Sequence, residues 1–353
     1  RLYHGLKYEF DLKPIKEMEH NKFYLDEVDF IIIETCLEDY ARSWRFSMCD
    51  TVDNRLIQIL NEAKKSDIPT ALWFTKDVDY FELFKNIAQY FDYVFAADFR
   101  VIEKLKSEKN IKAHLLLPAI QPRLFNPLKS IKTEANNSYK YDILINSIKS
   151  FKNSYIIKET VKNIQSRKFR IFERIKYPAK KEYNTNFSGL DRKGKISHRL
   201  LPEILKRSNA ILHAGQSVNT NTEIAWQAIE NAACLCSTIV VGRDINKNNL
   251  NNYCFYAKDK LELKKLIEDS KSLESNLAEK SFQNMRKIFQ EDCFENRIDQ
   301  ICKIIGLTNK ISFDENPPVT LITPTMREDN FENIVKNFER QDYKNIFLEI
   351  VFN

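Results

Sequence analysis

The chain has 353 residues, 43% of them hydrophobic and 29% charged, which is enough for two domains and a large core. Its net charge of +6 is spread through mixed Lys/Glu pairs, with no dense basic block interleaved with aromatics. That argues against nucleic acid as partner and leaves open a weakly basic face for anionic membranes or polymers. Seven scattered Cys without a C-x-x-C pair read as reduced thiols of a cytosolic protein, with Cys234 and Cys236 as buried packing at a helix end. No apolar run approaches the ~20 residues of a membrane span, and no signal peptide is present.

Residues 1–27 are weakly patterned. Val28–Glu34 predicts a buried strand ending in a carboxylate, followed by a polar loop with Asp39, Arg42 and Trp44. The spacing of Leu56, Ile57, Leu60 and Ala63 predicts an amphipathic helix over Asp53–Lys65. Ile68–Phe74 reads as a strand. Asp79–Phe91 reads as a helix with Phe81, Phe84, Ile87, Ala88 and Phe91 inward. Tyr93–Ala97 is a strand, Phe99–Ser107 a helix, and Ala113–Leu117 a strand stopped by Pro118. Strands alternating with helices of this length imply a parallel sheet covered on both faces. Pro118–Lys140, with three Pro, reads as a linker.

The pattern then restarts. Tyr141–Asn146 and Phe169–Phe172 read as strands around a helix at Ser154–Ser166, Tyr177–Lys195 as irregular, and Leu200–Arg207 as a helix. Asn209–Gly242 reads as strand (Asn209–His213), polar loop (Ala214–Asn221), helix capped by Thr222, and strand (Ser237–Val241). Tyr253–Tyr256 is one more strand. Leu261–Gly306 is largely helical, with Leu263, Leu266, Ile267, Met285, Ile288 and Phe289 as core candidates. The fold class is therefore α/β: two Rossmann-like domains, 1–133 and 134–307, facing a cleft. After a polar linker, Val319–Thr323, Phe331–Arg340 and Phe347–Val351 read as strand, helix and strand. One and a half βα units cannot bury a core alone, so 308–353 reads as a linker and the truncated start of a further α/β domain. The chain itself opens on Arg1 rather than Met, which reads as a fragment.

The stretch 209–242 carries the chemistry. A polar loop at a helix N-terminus offers free backbone N–H groups and the positive end of the helix dipole, which suits a phosphate. Ser217, Asn219, Thr220, Asn221 and Thr222 are the candidates for a diphosphate, with Arg174, Lys193 or Lys195 as auxiliary cations; the alternative is a surface turn with solvated charges. Glu230, two turns along the helix, is placed to accept hydrogen bonds from ribose hydroxyls. His213 is either a phosphate contact or a satisfied structural His. Candidates for a general base sit at strand ends of the first half: Glu34, Asp39 and Asp77, each equally able to cap a helix or pair with Arg42, Arg45 or Lys76. Trp44 and Trp73 line an acceptor groove or are buried.

Residues 28–305 resemble the CgeB-like glycosyltransferases of the two-Rossmann GT-B architecture. The resemblance rests on Ser217-Val218-Asn219-Thr220 and Glu230, on IIIE at 31–34 followed by Trp44, on WFTKD at 73–77, on FDYVFAAD at 91–98, and on LPAIQPRLFNP at 117–127. Two departures stand out. Leu235 occupies the position where the family usually has a Gly, and Glu223 and Glu230 have six rather than seven residues between them. The tail resembles the start of a family-two GT-A transferase, with VTLITPTMRE at 319–328 and RQDY at 340–343. Its metal-binding Asp-x-Asp would lie beyond Asn353.

These resemblances imply a bacterial, bifunctional parent. Its first transferase would move a sugar from a nucleotide-diphosphate donor to a cell-envelope or capsule glycan, or a lipid-linked glycan. It would act without a metal or other cofactor, in the cytoplasm and at the inner face of the cell membrane if peripherally associated. The sequence leaves the donor, the stereochemistry and the oligomeric state open. A rival from another class is a catalytically degenerate module that binds glycan or a partner for the adjacent GT-A domain. A third reading is a GT-B-fold sugar-nucleotide epimerase.

Overall fold

Four apolar runs pair in parallel to form the first sheet: β1 (Ile31–Glu34), β2 (Thr70–Phe74), β3 (Tyr93–Ala96) and β4 (Ala113–Leu115), in the order β1-β2-β3-β4. The computed structural model describes residues 2–12, 28–36, 47–49, 51–76, 78–128, 141–146, 156–157, 159–160, 169–174, 191–196, 200–214, 221–242, 253–270, 272, 274–307 and 317–352. The chain divides into two compact units, Arg1–Ile305 and Gly306–Asn353. Among the described residues no helix is long and apolar enough to cross a membrane.

In the first sheet β2 is buried along its whole length, whereas β1, at the edge, is half-buried apart from Ile31. Helix α1 (Leu2–Leu6) precedes the sheet. Helix α2 (Asn54–Lys65) is capped by Asp53, whose carboxylate accepts from the Arg55 N–H. It buries Leu56, Ile59, Leu60 and Ala63, so Ile59 rather than Ile57 completes its apolar face. The helix expected over 79–91 does not form as one piece. A 3-10 turn at Val78–Tyr80 leads into α3 (Phe81–Phe84), and a second 3-10 turn covers Ile87–Tyr90. Phe81, Phe84 and Ile87 recur at every third residue, the period of the tighter helix, and this spacing buries all three. Helix α4 (Phe99–Lys109) is capped by Asp98 and ends on Asn110 in the left-handed region.

The second sheet is built from β5 (Tyr141–Asn146), β6 (Phe169–Arg174), β7 (Asp191–Ile196), β8 (Ser208–Ala214), β9 (Ser237–Val241) and β10 (Cys254–Ala257). Its order is β10-β9-β8-β5-β6-β7, and every pairing is parallel. Strand β7 lies inside the stretch read as irregular. Its sequence, DRKGKI, is almost wholly polar because it is an edge strand, where charge blocks further pairing and hydrophobic periodicity is absent. Helices α5 (Leu201–Leu205), α6 (Asn221–Ala233), α7 (Lys260–Asp269), α8 (Asn276–Glu291) and α9 (Phe294–Ile305) complete the first unit. Of the core candidates in the helical region, Leu263, Ile267 and Ile288 are buried. The described parts of the expected helix at 154–166, residues 156–157 and 159–160, are helical.

In the segment read as a linker Ala119, Ile120, Gln121 and Phe125 are buried, while Arg123 and Leu128 are exposed. Ile120 forms an isolated bridge with Cys293. Arg297 holds the segment: Nε donates to the Leu117 carbonyl at 2.8 Å and one terminal nitrogen to the Pro118 carbonyl at 3.0 Å. The other terminal nitrogen reaches the Glu291 carbonyl at 2.9 Å, and Asp292 pairs with the guanidinium. Tyr253 donates to the second Asp292 oxygen at 2.6 Å.

In the second unit β11 (Val319–Thr325) pairs in parallel with β12 (Ile346–Phe352), with α10 (Phe331–Glu339) between them in sequence.

Removing one partner of a buried ion pair leaves the other charge uncompensated. Arg297→Ala is therefore expected to cost about 3–5 kcal/mol. Urea unfolding checks this, and a loss under about 1 kcal/mol would show the clamp to be ornamental.

Candidate functional site

In the second sheet the chain first runs outward from β5 through β6 to β7. It then returns to the other side of β5 and continues through β8 and β9 to β10. The direction reverses between β5 and β8, and in open parallel sheets ligands bind outside the carboxyl ends of the strands at such a reversal. Because all six strands are parallel, Asn146, Arg174, Lys195 and His213 come to one edge of the sheet, at or next to the ends of β5, β6, β7 and β8. Strand β8 ends at Ala214 on this edge, and α6 begins at Asn221.

Helix α6 is unusual in what it buries. Thr222, Gln227, Glu230 and Asn231 are all buried, and Glu230 is 1% exposed. Ala228, Ile229 and Ala232 pack into the core beneath the sheet. Asn231 ties the helix to its neighbouring strand, its side-chain amide donating to Thr238 Oγ1 on β9 at 2.9 Å. Trp226, Gln227 and Glu230 lie at helical spacing on one face. Trp226 packs on Trp73 of β2, with ring centroids 5.5 Å apart.

The end of α6 accounts for Leu235. The Leu235 N–H bonds the Ala232 carbonyl at 3.0 Å and the Cys236 N–H bonds the Asn231 carbonyl at 2.9 Å, the paired bonds of a Schellman cap. The cap needs a left-handed residue, and Leu235 takes φ 57° with its side chain 38% exposed. Position 235 is thus a helix stop in this chain, and Leu holds it at a steric cost.

The carboxyl edge of the first sheet carries a second polar set. Glu34, half-buried, ends β1 opposite Trp73 in register. Thr35 is buried, and its Oγ1 accepts from the Thr75 N–H at 3.1 Å. Asp98 accepts from the Val78 N–H at 3.3 Å and pairs with Arg100 at 2.7 Å.

Of the residues singled out in the sequence, Asp39, Trp44, Asp77, Ser217, Asn219 and Thr220 lie outside the described residues. Arg174, Lys193, Lys195 and Asn221 are placed by backbone alone. Thr222 is the second residue of α6 rather than its cap. Trp73 is fully buried and donates to the Leu116 carbonyl at 3.1 Å, so it does not line a groove. Sequence reasoning passes over Trp226 and Gln227, although projecting the helix from Glu230 finds them four and three residues back. It also passes over Thr35 and Arg100, which pattern alone does not mark.

No protein-family model matches this chain, and no curated protein matches it in sequence. Among solved structures, it is similar to HepE of Anabaena in complex with UDP. The identity is 9% and the TM-score 0.52, over 72% of this chain and 76% of that one. It is also similar to sucrose-phosphate synthase of Thermosynechococcus elongatus, with 11% identity and a TM-score of 0.48 over 74% and 81% of the two chains. A trehalose-6-phosphate synthase gives 10% identity and a TM-score of 0.49 over 79% and 74%. The first shows the fold: mixed α/β with parallel sheets, whose structural neighbours are glycosyltransferases of the GT-B type.

Leu235→Gly removes the left-handed penalty at the end of α6 and is expected to raise stability by about 1 kcal/mol in urea unfolding. A loss would mean that Leu235 packing outweighs the strain. Burial pushes the thiols of Cys234, Cys254 and Cys293 from 9.0 up to about 12. Their folded pKa values are raised, so stability is fully present below pH 9 and falls between pH 9 and 12. The slope is about 1.4 kcal/mol per pH unit for each thiol. A flat unfolding midpoint across that range would contradict it.

Proposed function

We propose that this chain is a GT-B glycosyltransferase that takes a nucleotide-diphosphate sugar and transfers the sugar to a cell-envelope or capsule glycan. The observation that carries the reading is the β5/β8 strand reversal, with β8 ending at Ala214 and α6 beginning at Asn221. The fold likeness to a protein solved with UDP supports it. Residues 1–133 would take the acceptor and 134–307 the donor. Backbone N–H groups at the start of α6, with Arg174 and Lys195 nearby on the sheet edge, would receive the departing diphosphate charge without a resident metal. Glu230 would accept from the ribose. Glu34, Asp39 or Asp77 would take the acceptor proton as general base. The CgeB-like relationship, the GT-A beginning in 308–353, the bacterial source and an inner-membrane location belong to the same proposal.

The burial of Glu230 favours one competing reading, a degenerate module that binds glycan or a partner. The two separate experimentally. A thermal-shift screen of UDP, CDP, GDP and dTDP is expected to return one stabilising nucleotide, worth about 2.7 kcal/mol at a hundredfold excess over Kd. Glu230→Ala is expected to remove most of that shift; an undiminished shift takes Glu230 out of the site. Release of nucleotide from the matching sugar nucleotide by the full chain excludes the degenerate module. A screen with no stabilising nucleotide defeats the transferase reading.

A further inference from the structure

Helix α6 meets the first sheet through Trp226, whose ring lies 5.5 Å from that of Trp73 and is tilted 43° to it. Trp73 in turn stands 6.4 Å from the ring of Phe294, the first residue of α9. The Phe294 ring presses against α1 where Gly5 has no side chain, and a Cβ added there would collide with the ring edge. Gln121 pins this stretch, donating to the Gly5 carbonyl at 2.8 Å and to Glu9 Oε1 at 2.9 Å. The chain has six Gly in all, and at Gly5 a side chain would force the Phe294 ring to move.

We propose that the row Gly5–Phe294–Trp73–Trp226 is a wedge that sets α6 against the first sheet, and that Trp226 is a positioning residue for Glu230. The inference rests on reading α6 as the nucleotide helix. Trp226 and Glu230 are four residues apart, so one side chain lies above the other on the same face. Close-packed aromatic rings transmit a displacement instead of absorbing it. A shift of Phe294 by a fraction of an ångström therefore reaches Trp226, and through the helix it reaches the carboxylate. By this route the N-terminal helix becomes part of the donor site's geometry.

The test uses the full chain and the nucleoside diphosphate returned by the thermal-shift screen, titrated calorimetrically. Near-UV circular dichroism reports on the packed Trp73–Trp226 pair. Trp226→Leu and Gly5→Ala are each expected to weaken nucleotide binding about tenfold and to diminish the dichroic signal. Trp226→Phe, which keeps an aromatic ring in the row, is expected to bind within about twofold of the parent. Trp226→Leu combined with Gly5→Ala should bind no more weakly than Trp226→Leu alone, because both break the same row. Parent-like affinity in Trp226→Leu and Gly5→Ala overturns the wedge while leaving the nucleotide reading intact. Equal loss in Trp226→Phe and Trp226→Leu also overturns it. A parent chain that binds no nucleotide removes the reading and the wedge together. Should Gly5→Ala fail to fold, the contrast between Leu and Phe at 226 decides the matter.

Discussion

The Arg297 guanidinium is the point on which the arrangement of the first unit depends. Residues 117 and 118 leave the first sheet in a segment where prolines remove N–H donors, and the carbonyls there need partners once buried. Arg297 meets the carbonyls of Leu117 and Pro118 and that of Glu291, and it pairs with Asp292. Asp292 is held in turn by the Tyr253 hydroxyl and, through its own carbonyl, by the Ile120 N–H. Burying a guanidinium is costly, and the cost is offset only when its donors are used in good geometry. With them used, the start of α9 is fixed against the chain leaving β4, and Phe294 is delivered to Trp73.

That constraint is not legible in the sequence. LPAIQPRLFNP can be read as the passage toward the second sheet, and its prolines explain why it is extended. Nothing in it announces that an arginine some 180 residues later binds its carbonyls. The strands are legible, because parallel strands buried on both faces read as unbroken apolar runs; TALWF, YVFA and STIVV fall within a residue or two of the runs that announce them. Strand β7 escapes that rule because its edge position removes the apolar pressure that writes the pattern. The stretch at 79–91 differs from expectation for another reason. Its apolar residues are indeed the inward ones, but their spacing satisfies a three-residue period as well as one of 3.6, and packing selects the tighter turn.

At the site, the motif draws attention to His213, Thr222 and Glu230, and all three prove to be buried: His213 next to the end of β8, Thr222 in the first turn of α6 and Glu230 in its last. Leu235 shows the limit of comparing letters. Set against a family pattern, it looks like a lost contact with the nucleotide. As the left-handed residue of a Schellman cap, it meets a backbone requirement that Gly meets with less strain. The substitution therefore bears on how firmly α6 ends, and it is a weak sign of a dead site.

A stronger sign lies in where this chain accepts polar burial. Helices α2 and α4 bury aliphatic side chains alone, as stability favours. Helix α6, buried over most of its length where α2 and α4 bury a single face, encloses a hydroxyl, two amides and a carboxylate as well. Replacing such groups with apolar ones of similar size is often neutral or stabilising, so a fold has no need to gather them. Asn231 is tied to β9, and Thr222, Gln227 and Glu230 share with it the helix that begins at the strand reversal. A local rule broken at the place where topology puts a ligand is the pattern expected of a functional site. The chain makes that exception on the helix whose seat is fixed by Trp226, and through the aromatic row by the clamp at Arg297.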